Sequence, residues 1–290
     1  MIEKHPSELL TILKCRNREL LVDSPVVMGI LNSTPDSFSD GGEFITSSAA
    51  LDRIGQMVEE GAAIIDIGGE STRPGSDPVS VDTELERTIP VMEKATASYP
   101  HILFSIDTTK YEVAKAALEA GAHIINDVSG LEKEPGFADL CAQTGAAYIC
   151  MHSQGDPKTM QEKPEYENVV DEVFSQLKEK LLHLKAKGVD NVIIDPGIGF
   201  GKTLKHNLEL VAGLSQFKDL KTPILIGASR KSSVGELLGN RSVEGRLAGT
   251  ISLHYQCLIN GATIIRVHDV EEAVDSVKIF NAVQLAVTGN

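Results

Sequence analysis

The stretch G-A-A-I-I-D at residues 61–66 decides the fold, because its pattern returns along the chain. In each copy, a glycine suited to end a helix precedes a short apolar, mostly β-branched run that stops at a polar residue. Further copies begin at Gly121, Gly145 and Gly261, and a variant begins at Lys187. A repeat of this kind indicates helices that alternate with strands.

Eight strands are predicted when the segments after Pro100 and Pro223 and the first apolar run are included. They cover residues 26–31, 63–67, 102–106, 124–126, 147–151, 192–195, 223–227 and 264–267. Their nearly continuous apolar character suits parallel strands that are buried on both faces. Strands and helices that alternate in this way favour an α/β fold of one domain, a (β/α)8 TIM barrel, with a doubly wound open sheet as the alternative.

The predicted domain limits are residues 1–25 for a short N-terminal extension and residues 26–290 for the barrel. We interpret the extension as a strand-containing lid over the bottom of the barrel. The clearest helix covers residues 166–187, and its apolar stripe consists of Val169, Val173, Leu177, Leu181 and Leu184. The last helix is predicted to begin at Asp269, with Glu272 three residues later as in a capping box.

The composition restricts the class of partner. The chain of 290 residues has a formal net charge of −14 and a pI near 5.0, so nucleic acids and anionic membrane surfaces are poor partners. Its four cysteines form no C-x-x-C pair, which argues against structural zinc or a disulfide framework and favours the reducing cytoplasm. No signal-peptide pattern opens the sequence and no apolar run approaches about 18 residues, so we expect a cytoplasmic protein without a membrane span.

Chemically distinctive residues follow the predicted strands, at the ends that meet on one face of a barrel and build its active site. In chain order they are Asn32, Asp66, Asp107, Asn126, Asp127, Met151, His152, Asp195, Ser229, Arg230, Lys231, Arg266 and His268. Any single aspartate of the set is explained as the N-cap of the next helix. The whole set, beside β-branched strands that disfavour such residues, indicates a shared small polar ligand.

Two segments invite a phosphate-binding interpretation. G-I-G-F-G-K-T at residues 197–203 misses the phosphate-loop pattern, because the glycine required at position 196 is Pro196, and it does not fit the dinucleotide fingerprint. Its glycines would instead let the backbone approach a flat ligand, with Phe200 as a cover. The loop at residues 28–42 is either a surface loop or part of a Mg²⁺ site whose oxygen donors are Asn32, Asp36 and Asp40.

Cationic residues in the predicted strand-end loops would create a local positive field in this acidic protein. They are Arg73, Lys202, Arg230, Lys231, Arg266 and His268. Such a field is suited to a diphosphate group, and Arg266 offers bidentate hydrogen bonds that a lysine lacks.

Seven separated motifs extend this pattern over nearly the entire chain. They are M-G-I-L-N-S-T-P-D-S-F-S-D-G-G (28–42), D-I-G-G-E-S-T-R-P-G (66–75), S-I-D-T (105–108), I-N-D-V-S-G (125–130), D-P-G-I-G-F-G-K-T (195–203), S-R-K-S (229–232) and R-V-H-D-V (266–270). In this order they resemble the dihydropteroate synthases, a family of pterin-binding enzymes. The resemblance implies a TIM barrel that joins (7,8-dihydropterin-6-yl)methyl diphosphate to 4-aminobenzoate, giving 7,8-dihydropteroate and diphosphate. It also implies Mg²⁺ as cofactor and a homodimer formed through outer helices near the C-terminus.

The same resemblance implies roles for individual residues. Asp107, Asn126, Asp195 and Lys231 match positions that hydrogen-bond the pterin, and Met151, Phe200 and Gly227 match positions that pack against it. Asn32, Arg266 and His268 match the diphosphate site, where Asn32 is also the metal ligand. Phe38, Thr72, Arg73, Pro74 and Ser232 resemble the aminobenzoate pocket. Asp107, Asp195, Lys231 and Arg266 are the predicted catalytic residues.

The expected mechanism is a dissociative substitution, because an arylamine is a weak nucleophile and the pterin methylene can ionise before the amine attacks. Asp107 and Asp195 would stabilise the positive charge on the pterin. Arg266, His268 and Mg²⁺ would stabilise the departing diphosphate.

Three alternatives stay open at this point. A pterin-binding methyltransferase shares the barrel and the Asp/Asn pterin pocket but needs no diphosphate site. An aldolase-type barrel would use Lys231 as a Schiff base, although a lysine in the S-R-K loop does not suggest the required desolvation. A degenerate barrel that binds pterins without catalysis would lack metal or diphosphate residues, and here all of them are present.

Overall fold

The computed structural model describes residues 12–22, 24–33, 47–71, 76–155, 160 and 164–288. Its strands are β1 (Ile12–Cys15), β2 (Arg18–Leu21), β3 (Val26–Asn32), β4 (Ile64–Gly68), β5 (Leu103–Asp107), β6 (Ile124–Asp127), β7 (Ala147–Met151), β8 (Val192–Asp195), β9 (Leu225–Ile226) and β10 (Ile264–Val267). Its α-helices are α1 (Ser47–Glu60), α2 (Val81–Ser98), α3 (Tyr111–Glu119), α4 (Gly136–Thr144), α5 (Val169–Ala186), α6 (Leu204–Ala212), α7 (Ser232–Leu237), α8 (Leu247–Ile259) and α9 (Val270–Thr288). Short 3-10 helices cover Leu214–Leu220 and Val243–Arg246.

Strands β3 to β10 form a parallel barrel. Within the described residues their order is β8-β7-β6-β5-β4-β3-β10-β9, and Ile194 of β8 joins the two ends through a parallel bridge to Ile224, directly before β9. The sheet therefore closes, which confirms the (β/α)8 prediction and excludes the open sheet. Strand β9 is shorter than predicted, and Pro223 at its predicted start has no N–H to donate to a neighbouring strand.

The helices pack on the outside of the barrel through apolar stripes. On α5, all five residues of the predicted stripe are buried, and the helix begins where the Asn168 side chain accepts hydrogen bonds from the N–H groups of Val170 and Asp171. The recurring glycine takes the positive φ that other residues rarely adopt, at 102° in Gly61 and 106° in Gly261. The repeat seen in the sequence is thus a helix end followed by a barrel strand.

The hairpin formed by β1 and β2 lies at the bottom of the barrel. Its apolar residues Leu13 and Cys15, with Val22 just beyond it, are buried in one cluster with the first residues of β4, β5, β6, β7 and β10. Because parallel strands begin at the same end of a barrel, this hairpin covers the end opposite to the predicted site. The limit between extension and barrel at residue 25 stays a prediction. No helix in the described residues has both the length and the apolar character to cross a bilayer.

Candidate active site

Four side chains from separate strands meet at the carboxyl end of the barrel. Arg266 on β10 reaches across β3 and donates from Nε to Asp66 on β4 at 2.7 Å and from Nη2 to Asp107 on β5 at 2.7 Å. The amide of Asn126 on β6 donates to the same Asp66 oxygen at 2.9 Å. The barrel thus unites Asp107, Asn126 and Arg266, which were predicted from positions up to 159 residues apart.

Strand register explains why this cluster forms. Gly68 of β4 lies beside Asp107 of β5, and Asp107 lies beside Asn126 of β6. A Cβ at Gly68 would lie 3.4 Å from the Cβ of Asp107, so the glycine leaves the carboxylate room at the mouth of the barrel. Gly68 therefore lies in packing contact with the site, directly beside Asp107.

Two oxygens of this cluster are left open. Among the described residues, the Oδ1 atoms of Asp66 and Asp107 are buried and have no hydrogen-bond partner. Burial raises the pKa of Asp107 to about 7; Arg266 opposes the shift, while Asp66, Glu84 and Asp127 add to it. A buried carboxylate with an unused oxygen is costly unless a ligand donates to it. Asp107 is thus suited to accept a hydrogen bond from a bound molecule.

Lys231 and Asp195 form the opposite side of the mouth. The Lys231 ammonium lies 4.2 Å from the centre of the Phe200 ring and donates to the carbonyl of Ile198. Burial lowers the pKa of Lys231 to about 8, opposed by the charges of Asp195 and Asp107. Lys231 is thus half-buried, which its place in the S-R-K loop did not indicate. Burial also raises the pKa of Asp195, while Lys231 and the N–H of Gly197, 2.7 Å from Oδ1, act to lower it.

The glycine-rich loop after β8 packs directly on the loop after β7. A Cβ at Gly197 would lie 1.9 Å from the carbonyl oxygen of His152, and one at Gly201 would lie 2.3 Å from that of Gln154. These distances exclude any side chain at either position. Lys202, which we had placed in the cationic field, is 2% exposed and donates to Nδ1 of His152 at 3.0 Å and to the carbonyl of Phe200 at 2.9 Å. Its role is therefore to join the two loops.

The remaining predicted pterin contacts lie beside these groups. Met151 is buried at the end of β7 and is paired in register with Asp195. Gly227 follows β9, where an added Cβ would lie 3.8 Å from the Cβ of Arg266. Met151 and Gly227 therefore lie beside the charged residues, as expected of positions that pack against the pterin.

The predicted diphosphate residues end adjacent strands. Asn32 is the last residue of β3, and Arg266 and His268 lie on and just after β10, which pairs with β3. The Ser229 hydroxyl is 3.0 Å from Nδ1 of His268 and accepts from its backbone N–H at 3.2 Å. This hydroxyl fixes the imidazole. Arg230, also predicted to contribute to the cationic field, forms a two-pronged ion pair with Asp269.

Among the predicted aminobenzoate residues, Ser232 belongs to the described part of the chain. Phe38, Thr72, Arg73 and Pro74 lie outside the described residues, as do Asp36 and Asp40. Ser232 is exposed at the first position of α7, directly after Lys231.

A cavity of about 230 Å³ opens beside Asp107 and Phe200. Its other walls carry residues that the sequence did not single out, among them Glu70, Glu84 and Lys110. Asp66 and Ser229 belong to the strand-end set, but the resemblance implies no role for either. The signal for Asp66 was present, because a carboxylate inside I-I-D-I is disfavoured unless it has a buried partner.

Comparison with known proteins agrees with this geometry. The family model described as pterin binding enzyme matches residues 28–268. Because this match spans more than half of the chain, the chain belongs to the family of pterin-binding enzymes.

Individual relatives define the activity. The dihydropteroate synthase of Escherichia coli strain K12 is 45% identical over 272 residues, which cover 93% of this chain and 95% of the relative. A structure of Yersinia pestis dihydropteroate synthase in a sulfonamide drug complex matches with a TM-score of 0.89 and 42% identity over 94% of this chain and 99% of that one. A Xanthomonas albilineans dihydropteroate synthase in complex with 7,8-dihydropteroate gives 0.86 and 42% over the same shares.

These likenesses confirm the resemblance stated from the motifs. The activity of the chain is that of a dihydropteroate synthase, a transferase of folate synthesis that condenses (7,8-dihydropterin-6-yl)methyl diphosphate with 4-aminobenzoate. The methyltransferase, aldolase and non-catalytic alternatives are set aside on this ground.

Proposed function

We propose that catalysis is a dissociative substitution carried out by the cluster of Asp107, Asp195, Lys231 and Arg266. The observation that carries the proposal is their convergence at the mouth, where Arg266 donates to Asp107 at 2.7 Å and the charges of Asp195, Arg266 and Asp107 all act on the Lys231 ammonium. The open Oδ1 of Asp107 would accept a hydrogen bond from the pterin, and Asn126 and Lys231 would bond its other polar edge atoms. As positive charge develops on the pterin, the two carboxylates stabilise it in a site that excludes water.

The diphosphate end of the substrate is assigned to Arg266, His268 and Asn32. Arg266 uses Nε and Nη2 for its carboxylate partners, and the donors of Nη1 make no hydrogen bond with any described residue. A guanidinium has five N–H donors, so it can bind a diphosphate without releasing Asp66 or Asp107. His268, held by Ser229, would donate to the leaving group from the neighbouring strand end.

Mg²⁺ is the proposed cofactor. The described residues contain no group of three or more His, Cys, Asp or Glu side chains that could enclose a metal ion. Mg²⁺ commonly takes one or two protein oxygens together with substrate phosphate oxygens, and the half-buried amide of Asn32 at the mouth fits that mode of binding. When bound, the ion would offset negative charge on the diphosphate.

The amine substrate is assigned to residues of the loops that follow β3, β4 and β9. Phe38, Thr72, Arg73, Pro74 and Ser232 would form this pocket, as the sequence resemblance implies. Sulfonamides would compete for the same pocket, which the sulfonamide complex of the Yersinia pestis relative supports.

We also propose a homodimer, with α8 and α9 at the interface. The support is a set of exposed apolar side chains on these two helices: Ile259, Ile279, Val283, Leu285 and Val287. Ile279 is 60% exposed. Sedimentation velocity should show a dimer that Ile279→Lys dissociates, whereas Leu182→Lys, at an equally exposed site on α5, leaves it intact. A monomeric unmodified chain would contradict the assignment.

Cytoplasmic localisation is proposed because the four cysteines are all buried and unpaired, as in proteins of a reducing compartment.

The direct test is diphosphate release measured with and without 4-aminobenzoate. We expect release from the pterin substrate that depends on the amine and yields 7,8-dihydropteroate. Release at the same rate without the amine would contradict the proposed condensation.

A further inference from the structure

An ion triad forms one wall of the cavity beside Asp107. Nζ of Lys110, the residue before α3, lies 2.6 Å from Oε2 of Glu70 and 2.5 Å from Oε2 of Glu84. Glu84 belongs to the buried stripe of α2 and is wholly inaccessible to solvent. One ammonium therefore offsets two carboxylates, one of which is buried.

Glu70 also ties together the two ends of the loop between β4 and α2. Its Oε2 accepts the N–H of Val79 at 3.0 Å, in addition to the ammonium of Lys110. A second link lies inside the first, where Ser76 Oγ donates to the carbonyl of Ser71 at 2.5 Å. Residues 69–71 and 76–80 thus make a closed stem.

Lys110 connects this stem to the catalytic strand. It lies three residues after Asp107, and its own N–H donates to Oγ1 of Thr108 at 3.2 Å. Glu70, Lys110 and Asp107 line the same cavity. Without the ammonium, the carboxylates of Glu70 and Glu84 would repel each other across the wall, and the stem would lose its attachment to the end of β5.

We propose that Lys110 is a positioning residue for the amine substrate: through Glu70, it holds the wall formed by residues 69–71 and 76–80 at a fixed place relative to Asp107. The inference rests on the proposed assignment of residues of the loop after β4 to 4-aminobenzoate. Because the Lys110 ammonium bonds Glu70 and Glu84, its effect would appear as the placement of one substrate. Binding of the pterin diphosphate, which uses the cluster around Arg266, stays unaffected.

The test compares steady-state constants for both substrates in four variants. Lys110→Met removes the charge and keeps the length of the side chain, and Lys110→Arg restores the charge. Lys110→Met/Glu84→Gln removes the buried unpaired carboxylate along with its partner. Lys187→Met is the control for loss of a lysine charge, because Lys187 forms an exposed ion pair with Asp139 on the outside of the barrel.

Lys110→Met is expected to raise KM for 4-aminobenzoate roughly tenfold or more, since small misplacements have large effects on bound substrates. KM for the pterin diphosphate should change less than about twofold, and Lys110→Arg should recover most of the loss. The double variant regains thermal stability but keeps the high aminobenzoate KM, because the link to Glu70 is still missing.

Three results would overturn the inference: equal rises in both KM values, no change in either, or an aminobenzoate KM restored by the double variant. The last would show that Lys110 only neutralises Glu84. If the unmodified enzyme itself shows no amine-dependent diphosphate release, the proposed condensation fails instead, and the two failures are thus distinguished.

Discussion

Asp107 and Asp127 are both buried carboxylates at the carboxyl ends of adjacent strands, but their hydrogen-bond partners differ. Asp127 has both oxygens in use: Oδ1 accepts the N–H and hydroxyl of Ser129, and Oδ2 accepts the N–H of Leu131 and the hydroxyl of Tyr148. Asp107 accepts from Arg266 through one oxygen and, among the described residues, has no partner for the other.

The difference separates a structural carboxylate from a binding one. Four donors around Asp127 complete the turn after β6, so a ligand has nothing to bind there. The open oxygen of Asp107 is buried away from water without gaining a hydrogen bond in return. A pterin N–H would supply that hydrogen bond. In the sequence, both residues are aspartates at strand ends. The structure distinguishes them by the number of hydrogen-bond donors around each carboxylate.

Arg266→Leu should have the largest effect, because it leaves Asp66 and Asp107 without their shared cation. We expect kcat/KM to fall by roughly 10³-fold, as for the loss of a main electrostatic contact. The free energy of unfolding should fall by about 3–5 kcal/mol, the usual result of removing one partner of a buried pair. Steady-state kinetics measures kcat/KM, and urea denaturation measures the free energy of unfolding. A variant with normal kcat/KM would contradict the assignment of Arg266 to the active site.

Asp127→Asn tests the structural half of the comparison. Replacing one oxygen by an amide breaks the bonds to Ser129 or to Tyr148 and Leu131, and the free energy of unfolding should fall by about 1–3 kcal/mol. The folded fraction should retain kcat/KM within about threefold. Denaturant unfolding and assays corrected for folded enzyme measure the two effects. A large loss of activity with normal stability would reverse the distinction drawn between the two aspartates.

The pH dependence sharpens the same comparison. The ionised form of Asp107 is the active one, and burial raises its pKa to about 7. The value of kcat/KM should therefore decrease as the pH is lowered through about 7. Glu84 contributes to that rise, so Glu84→Gln should move the acid limb to lower pH. An acid limb near pH 4 in the unmodified enzyme would show that Asp107 titrates as an ordinary carboxyl group.

Ser229→Ala should give the smallest effect. It removes the hydroxyl that holds both the ring and the backbone N–H of His268, a loss of about 1 kcal/mol, or roughly fivefold, in affinity for inorganic diphosphate. Calorimetric titration measures this affinity. Ser252→Ala, which loses a helix-surface hydroxyl on α8, is the matched control and should bind normally. Identical affinities in the two variants would deny Ser229 its positioning role.

Much of the barrel follows from local sequence signals. Buried parallel strands need continuous apolar runs, and helix ends need residues with positive φ, so the copies at Gly61 and Gly261 could be recognised directly. The convergence of Asp107, Asn126 and Arg266 follows from the barrel itself, which brings all strand ends to one face.

The ion triad could not be predicted in the same way. Glu70, Glu84 and Lys110 come from a loop, a helix and the start of another helix, and each resembles an ordinary surface charge in the sequence. The position of Glu84 in the stripe of Thr88, Val91 and Ala95 is a signal, but its partner depends on how α2 and α3 pack. The hydrogen-bond partners of Lys202 and Arg230 also depend on tertiary structure. In the sequence, a cation in a glycine-rich or polar loop resembles a solvated residue, because its acceptors lie on other segments of the chain.

The most direct test is Asp107→Asn, which keeps the shape of the side chain and removes its charge. Turnover and the affinity for inorganic diphosphate should be measured on the same preparation. The account predicts that turnover falls about 10²–10³-fold, while diphosphate affinity changes little, because that group binds at Arg266 and His268. Equal losses in turnover and in diphosphate binding would contradict a role for this carboxylate in stabilising charge on the pterin.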